Sequence, residues 1–395
     1  MSTLDGSAGA SGDGIRTGSA AALVAGNMLG AGVFTTSGFA LADLGSPGPV
    51  LLAWAVGGVI ALCGALAYAD LASRLPGSGG EYLFLSRALH PLAGFLAGWV
   101  SLLAGFTAPI AVAAHGLEAY LGAALSWDGP SVGIGAAAIV ACGLAHGLAR
   151  GAGLSLQNGA VVLKVIAIAA FLVFGLIAWP EAGPAVDPLA RSVAGGGPAD
   201  PLSIPAFAVT LVWISFAYSG WNAAVYVAGE LDHPERTLPR ALVLATLGIT
   251  GVYLALNAVF LFAAPTAALV GKAEIGAVAA EALGGAPARA GLSCVVALAL
   301  FTSISAMVMV GPRVYAQMAA DGLFPERLRP RGDVPRAAIA LQVVLALVAY
   351  LVAELRDLLL YAGFLLGLSA AATVACRFLP GVAAREPTRA VPGMP

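Results

Sequence analysis

A glycine cluster and a Ser-Gly pair, each inside a long apolar run, are the residues whose type and spacing could do chemistry. One is GNMLGAGVFTTSG at 26–38, with Gly30 and Gly32 near its centre, and the other is ISFAYSGWN at 214–222, which contains Gly220. Each glycine in a helix interior costs about 1 kcal/mol relative to alanine, so such clusters make local unwinding cheap. Unwinding bares backbone amides, which attract a carboxylate, and carbonyls, which attract an ammonium group or Na⁺. A small zwitterion would satisfy both.

Lys164 is the one charged residue near the middle of an apolar run. A charge at the centre of a bilayer costs roughly 2.5–3.5 kcal/mol on insertion scales, so this lysine is a functional candidate. If its ammonium group titrates, loss of the proton can be linked to a conformational change. If it stays charged, it replaces a bound cation and holds two helices together. A lysine without a role, reaching toward the interface, is the third alternative.

The composition excludes a soluble protein and several classes of function. Of 395 residues, 59% are hydrophobic and 10% are charged, whereas soluble domains are about 25% charged. The net charge of -2 provides no basic surface, so nucleic acid is excluded as a partner. No HExxH, no GxSxG and no acidic pair within an apolar run is present, so we expect no enzyme, no cofactor and no metal site. Four cysteines without CxxC spacing are interpreted as small buried hydrophobes: Cys63, Cys142, Cys294 and Cys376.

Apolar runs between charges predict the number of membrane-spanning helices. A helix needs about 20 apolar residues to cross the hydrocarbon core, and a barrel would instead show short alternating segments. We therefore predict an all-α membrane protein with its ten spans in the runs 17–42, 44–69, 88–117, 129–149, 151–180, 201–229, 241–271, 290–312, 337–353 and 358–376.

The distribution of basic residues predicts the orientation. Most of the 19 Lys and Arg fall in the tails and in the loops that share the side of the N-terminus. Positive charge near helix ends is retained in the cytoplasm, so both termini are expected there, with the protein in the cytoplasmic (inner) membrane. Residues 1–16 lack the basic start and cleavage site of a secretory signal, so the first apolar run is expected to be kept as a span.

Ten spans divide into two repeats of five, and because five is odd the second repeat enters the membrane in the opposite direction. We expect a flexible cytoplasmic tail at 1–16, a first repeat at 17–180, an inverted second repeat at 201–379 and a cytoplasmic tail at 380–395. The glycine stretches then occupy spans one and six, the same place in each repeat. Small residues also permit close helix packing, but their coincidence at both positions favours two discontinuous helices.

Four segments resemble the amino acid-polyamine-organocation (APC) superfamily of transporters. They are GNMLGAGVF at 26–34, ALAYADLASRLPGSGGEYLFLSRAL at 65–89, FAYSGWNAAVYVAGELDHPERTLPRAL at 216–242 and GPRVYAQMAADGLFP at 311–325. The sixth span is most similar to the L-type and related amino acid permeases. The resemblance implies a five-plus-five inverted-repeat transporter that moves a small amino acid or amine by alternating access.

The resemblance also implies a role for residues at the first break. The glycine-small-glycine element, whose amides hold the substrate carboxylate in the family, is matched by Gly30, Ala31 and Gly32. Family members commonly have Ser at the position of Ala31. The change removes a hydroxyl but keeps the backbone amide, so carboxylate binding is expected to survive it.

At the second break, the unwound segment whose carbonyls hold the amine is matched by Phe216, Ala217 and Ser219. Family members often have Gly at Ser219. Phe216 also matches the aromatic gate over the occluded substrate, and Asn222 matches a polar position that lines the pocket. Trp221 lies beside the break and is a second gate candidate.

The resemblance extends to ion coupling, because some APC members place a fifth-span lysine where sodium-coupled relatives bind Na⁺. Lys164 matches that lysine, and Ser303 and Ser305 on the eighth span are its expected neighbours. This implies sodium-independent transport, either proton-coupled or by exchange.

The expected function is that of a permease for a neutral or apolar amino acid, because no acidic residue lies near the breaks in the sequence. Two alternatives stay open: a cationic amino acid or polyamine exchanger of the same superfamily, and a truncated relative that binds without transporting. Most relatives have twelve spans, and this sequence stops where an eleventh would begin. Helices 11 and 12 are therefore expected to be absent. In relatives this pair often contributes to contacts between subunits, so its absence bears on whether a homo-oligomer forms, which stays open. The other expected partners are the lipid bilayer and the amino acid substrate.

Overall fold

A computed structural model describes residues 15–76, 80–127, 133–148, 153–182, 203–320, 322–329 and 334–385. In this part of the chain the structure is helical, and its only extended pairing is an isolated bridge between Ile15 and Leu231. The helices are α1 (Thr17–Met28), α2 (Gly32–Thr35), α3 (Ser37–Leu44), α4 (Pro47–Arg74), α5 (Gly80–Ala88), α6 (Pro91–Val100), a π-helical turn (Ser101–Thr107), α7 (Ala108–Leu125), α8 (Ile134–Leu148), α9 (Gly153–Ala182), α10 (Ile204–Tyr218), a 3₁₀ segment (Ala223–Glu230), α11 (Pro234–Phe262), α12 (Thr266–Leu269), α13 (Ile275–Ala320), a short 3₁₀ turn (Glu326–Leu328), α14 (Arg336–Val352), α15 (Leu355–Cys376) and α16 (Pro380–Ala383).

Among the described residues, seven helical stretches are long and apolar enough to cross a membrane: Thr17–Thr35, Pro47–Arg74, Pro91–Leu125, Ile204–Gly229, Pro234–Phe262, Ile275–Ala320 and Leu355–Cys376. Three shorter apolar helices lie between them, at Ile134–Leu148, Lys164–Trp179 and Arg336–Val352. The all-α prediction is confirmed, and the architecture is that of a multi-pass membrane protein. The predicted number of ten spans exceeds the seven that meet the length requirement.

The longest helix differs from its predicted run. The charge-free stretch 290–312 predicts one span, whereas α13 extends over Ile275–Ala320 with non-helical angles at Gly284 and Gly285. The charge of Arg289 does not end α13. This residue lies at the flank of the apolar part, where its Nε donates to the carbonyl of Ala123 at 2.9 Å.

Several helix ends follow from local sequence. Proline occupies the first turn of α4, α6 and α11, where its missing N–H costs nothing because the first amides of a helix have no partner within it. Gly45 ends α3 with φ +72°, a left-handed conformation that glycine adopts without steric cost.

Glycines let α4 pack closely against two neighbours. A Cβ on Gly57 would lie 2.6 Å from Cγ2 of Ile214 in α10, and one on Gly58 would lie 2.5 Å from Cγ2 of Thr250 in α11. Small residues allow such backbone approach between helices in a membrane. The arrangement places α10 and α11, on either side of the second break, against the same stretch of α4.

The outer surface of the bundle is apolar. Leu52, Val59 and Leu66 of α4 are all about half exposed and recur every seven residues, which marks one side of the helix. Two cysteines also lie on this surface, since Cys63 and Cys294 are exposed. The interpretation of all four cysteines as buried was therefore wrong for these two, because an outward position is equally apolar in a bilayer.

The predicted division into repeats at 17–180 and 201–379 stays a prediction, as does the orientation of the termini. The predicted tails fall mainly on 1–14 and 386–395, and the connection between the repeats on 183–202; these residues lie outside the described part of the chain.

Candidate functional site

The first break separates α1 from α2. The helix ends at Met28, Leu29 takes the non-helical angles φ -69° and ψ 66°, and helical structure resumes at Gly32. The Gly30 amide turns back and donates to the Met28 carbonyl at 2.6 Å. The segment from Gly32 to Leu44 is nearly continuous, since Thr36 between α2 and α3 keeps helical angles. The interruption predicted from the glycine spacing is present.

The second break follows α10. Ser219 takes φ -55° and ψ 148°, and Gly220 takes φ +101°, in the region that favours glycine. A Cβ on Gly220 would lie 2.9 Å from the carbonyl carbon of Asn27. Glycine is therefore required at position 220 for two reasons: its backbone angle is positive, and α1 lies directly against it.

The two breaks are in direct contact. A Cβ on Gly32 would lie 2.5 Å from Cα of Ala217, so the start of α2 packs on the end of α10. The Tyr253 hydroxyl of α11 lies between them and can donate to the carbonyl of Met28 or, at 3.0 Å, to that of Ala217. Because a hydroxyl has one proton, it serves one of these carbonyls at a time.

Two backbone amides at the first break lack a backbone acceptor. Within the described residues, no backbone carbonyl accepts a hydrogen bond from the amides of Ala31 or Gly32. The first amides of a helix lack intrahelical acceptors and carry partial positive charge, so together they favour an anion. A carboxylate at this place would receive two backbone N–H groups.

The residues expected at the second break divide into two groups. Phe216 and Ala217 are buried, at 5% and 4% exposure, beside the first break, and Ser219 donates its amide to the Phe216 carbonyl at 3.0 Å. Trp221 and Asn222 lie on the other side, toward α4 and α5. The Trp221 ring packs edge-on against Tyr68, with 4.7 Å between the ring centroids.

Asn222 contacts a carboxyl group, Glu81. Its Nδ2 donates to Oε1 of Glu81 at 3.2 Å, and the Tyr68 hydroxyl donates to the same oxygen at 2.8 Å. The Ser369 hydroxyl of α15 is bonded to Oε2 at 2.5 Å. Glu81 lies in α5, in the connection between two spans, and is only 6% exposed. Burial raises the pKa of Glu81 above its ordinary value, although the bonds from Ser369, Tyr68 and Asn222 each act to lower it.

Lys164 reaches the first break. It is 6% exposed, and its Nζ donates to the carbonyl of Leu29 at 2.5 Å. Leu29 is the residue at which α1 loses its helical angles. Its expected neighbours have other partners: Ser303 donates to the Ala299 carbonyl at 3.0 Å, and Ser305 is bonded to Nε2 of His146 at 2.8 Å. The structure brings Lys164 to the break and gives both serines hydrogen bonds of their own.

A polar network behind the breaks was missed by sequence reasoning. Ser37 is bonded to Oδ1 of Asn257, Trp54 donates from Nε1 to Ser37 Oγ at 2.9 Å, and Asn257 donates to the Tyr253 carbonyl at 2.8 Å. The signal was available, since Thr246, Thr250, Tyr253 and Asn257 recur at helical spacing within one apolar run.

At the end of the bundle opposite Glu81, an ion pair joins α3 to α15. Nη2 of Arg356 lies 2.7 and 2.9 Å from the two carboxylate oxygens of Asp43. The same guanidinium lies over the Trp213 ring of α10, 4.9 Å from its centroid. This contact links the helices that follow the first break and precede the second.

Comparison with known proteins shows the family. The family model for amino acid permeases matches residues 15–386. The chain is 29% identical over 343 residues to the serine/threonine exchanger SteT of Bacillus subtilis, in a match that covers 84% of this chain and 75% of that protein. It is 26% identical over 377 residues to the human large neutral amino acids transporter small subunit 2, covering 90% of this chain and 68% of the relative.

A third relative matches over a shorter region. The b(0,+)-type amino acid transporter 1 of Mus musculus is 30% identical over 258 residues, 64% of this chain, and the match spans about half of that relative, 52% of its length. The broken helices, the apolar surface and a family model that matches nearly the whole described chain agree, and this protein belongs to the amino acid permease family of the APC superfamily.

Proposed function

We propose that this protein is a secondary active transporter that moves a neutral or apolar amino acid across the cytoplasmic membrane by alternating access. The observation that carries the proposal is the contact between two interrupted helices, with unpaired amides at Ala31 and Gly32 on one side. A substrate carboxylate binds these amides, and its ammonium group binds carbonyls at the end of α10. Recognition of both poles of the amino acid is thus built from backbone.

The proposed architecture is ten spans in two inverted repeats of five. The seven long spans and the three shorter apolar helices together supply that number, with the breaks in the first and sixth. Alternating access is then a rocking of one set of helices against the other around the site. We place both termini in the cytoplasm.

The substrate class rests on the charges near the site. Glu81 is far from both breaks in the sequence, yet it contacts Asn222, so an acidic group is closer to the site than the sequence suggests. Both of its oxygens are hydrogen-bonded to Tyr68, Asn222 and Ser369, which leaves it poorly placed to bind a cationic side chain. The names of two relatives, a serine/threonine exchanger and a transporter for large neutral amino acids, also support a neutral substrate.

Lys164 supports sodium independence. Its ammonium group donates to the Leu29 carbonyl, which has no helical partner because the helix is interrupted there. A bound cation would bind the same kind of free carbonyl, so the ammonium group replaces it. Transport is therefore driven by exchange or by protons in this proposal.

The test is counterflow of radiolabelled amino acids in proteoliposomes, run with neutral, cationic and anionic substrates, with and without Na⁺. We expect accumulation of one or more neutral amino acids that does not need Na⁺. Accumulation of arginine or a polyamine alone would replace the neutral substrate class. Binding in a thermal-shift screen without any counterflow would contradict transport.

Gly32→Ala is the variant that tests the site itself. The added methyl group would meet backbone atoms of Ala217 at 2.5 Å, so we expect counterflow to fall about tenfold or more. Gly248→Ala is the matched control, because nothing lies within 4 Å of a Cβ at Gly248. Equal activity in the two variants would show that the contact between the breaks is not needed.

A further inference from the structure

Glu81 joins four segments at one end of the bundle. The carboxyl group starts from α5 and is bonded to Tyr68 of α4, to Asn222 just before the 3₁₀ segment and to Ser369 of α15. These partners are 13, 141 and 288 residues away from Glu81 in the sequence. We refer to Glu81 with these three side chains as the Glu81 cluster. It links α4, α5 and α15 to the residue that follows the second break.

No cation accompanies this carboxyl group within the described residues. The ionisable side chains that face it are the phenols of Tyr68 and Tyr226. Of the charged groups at the same end, Asp70 pairs with Arg74 and Arg377, and Arg87 donates to the Pro76 carbonyl. Neutral donors therefore surround an acid that is almost completely buried, and a negative charge there has no counter-ion.

The cluster can hold hydrogen bonds in either protonation state. An ionised Glu81 accepts from all three partners. When Glu81 is protonated, Oε2 can donate to the Ser369 hydroxyl, which both donates and accepts, while Oε1 keeps its bonds from Tyr68 and Asn222. Burial favours the neutral form, and exposure to water favours the ionised form. Protonation of this group is thus linked to whether the cluster is closed.

Asn222 connects this acid to the proposed substrate site. It follows the second break directly, two residues after Gly220, and its Nδ2 bonds Glu81 at 3.2 Å. Any movement of the break during transport must change this bond.

We propose that Glu81 is the proton-binding site that couples transport to pH. The carboxyl group holds its proton while the Glu81 cluster is closed and releases it to the water at that end of the bundle when Tyr68, Asn222 and Ser369 separate from it. The inference rests on the proposed transport function and identifies the titrating group within it. Lys164 then acts as the fixed cation at the first break.

The linkage has a definite sign. The closed state binds the proton more tightly than the open state, so raising the pH favours opening. Wherever opening of this end limits turnover, exchange rises with pH. Glu81→Gln mimics the protonated acid and cannot lose a proton, so its exchange should be nearly independent of pH.

The experiment measures counterflow in proteoliposomes at equal pH inside and outside, from about pH 5 to about pH 8. We expect wild-type exchange to change about fivefold or more over this range, and Glu81→Gln less than about twofold. Glu326→Gln, an exposed acid in the 3₁₀ turn, is the matched control and should follow the wild type. A wild-type profile in Glu81→Gln would overturn the proposal.

Ser369→Ala distinguishes a titrating Glu81 from a Glu81 that serves only a structural role. The hydrogen bond from Ser369 stabilises the ionised acid, so its removal should shift the midpoint of the exchange profile to higher pH while the profile persists. An unchanged midpoint, or one shifted to lower pH, would argue against Glu81 as the titrating group.

A second readout separates this proposal from the proposed function. Thermal unfolding of the purified wild type and of Glu81→Gln is followed over the same pH range, with no substrate and no transport. A smaller pH dependence in Glu81→Gln is expected. If the wild type shows no counterflow, the transport proposal fails, and identical melting profiles would then also exclude a closed-state proton on Glu81.

Discussion

At the scale of single residues, Tyr253 shows how one side chain can hold a broken helix in place. Its hydroxyl lies between the carbonyls of Met28 and Ala217, one at each break, and it is completely buried. Buried carbonyls without a donor are costly, and this hydroxyl can supply a donor to either of these two carbonyls. The hydroxyl thus couples the positions of two helices that no direct backbone bond joins.

Tyr253→Phe should lower both stability and transport. A net loss of about 1 kcal/mol is expected, because a buried carbonyl loses its donor while the ring keeps its packing. Thermal unfolding in detergent and the rate of counterflow are the measurements. Tyr361→Phe, at an exposed tyrosine, is the control, and an equal effect of the two changes would contradict a special role for Tyr253.

Lys164→Ala addresses energy coupling at the same scale. If Lys164 serves as a fixed cation, the variant loses transport at every pH, and the response of any residual uptake to a pH gradient is unchanged. Uptake in proteoliposomes with and without that gradient distinguishes the two roles. Loss of the gradient response alone would make Lys164, and not Glu81, the proton carrier.

Glu81 also makes a prediction about stability. Because burial raises its pKa in the folded protein above the ordinary 4.5, the folded state holds a proton that the unfolded chain loses first. Its contribution to stability is therefore complete below about pH 4.5 and declines as the pH rises through the folded value. The melting temperature of Glu81→Gln should fall less steeply with pH than that of the wild type.

At the scale of elements, each break is held by the helix that it faces. The start of α2 packs on the end of α10, and Gly220 packs on α1, so neither segment can regain a continuous helix without displacing the other. The sequence predicts where the helical hydrogen bonds are interrupted, because a glycine cluster lies at the first break and the Ser219–Gly220 pair at the second. The mutual contact depends on how the two segments cross.

Gly220→Ala tests this contact. The residue has φ +101°, and its Cβ would lie 2.9 Å from the Asn27 carbonyl carbon, so strain and collision both apply. Gly45→Ala is the matched control, with φ +72° and nothing within 4 Å. We expect backbone strain of about 1–2 kcal/mol in both variants, measured by thermal unfolding, and loss of counterflow in Gly220→Ala alone.

At the scale of the whole molecule, contacts at its two ends are expected to alternate during transport. The Glu81 cluster joins helices at one end, and the pair of Asp43 with Arg356 joins helices at the other. The two have different chemistry. One is buried and uncharged when protonated, whereas the other is exposed enough to be screened by salt, with the Arg356 side chain 49% exposed.

A double-mutant cycle with Asp43→Ala and Arg356→Ala should therefore give a small coupling energy. Exposed pairs contribute about 0.2–1 kcal/mol, and the cation–π contact of Arg356 with Trp213 adds about 0.5–1 kcal/mol that the cycle does not include. Substrate affinity, measured at low and high salt, is the readout. A coupling well above 1 kcal/mol that persists at high salt would show that the pair is desolvated.

The sequence by itself determined that this protein lies in a lipid bilayer and what local structure its segments adopt. Sparse charge and long apolar runs require a helical membrane bundle. A glycine cluster locates the first break and the Ser219–Gly220 pair locates the second, because these are properties of short segments. The sequence also identified Lys164 as a functional candidate, since a charged residue in the middle of an apolar run is rare and costly.

Only the tertiary structure decided which side chains meet. Glu81 and Ser369 are 288 residues apart in the sequence, yet their side chains are hydrogen-bonded. Asn222, beside the second break, donates a hydrogen bond to the same carboxyl group. Periodicity gives the face of a helix on which a residue lies, but the neighbour of that face depends on how distant helices cross. For that reason the sequence does not single out Glu81, and only the folded bundle makes it a buried acid with no counter-ion among the described residues.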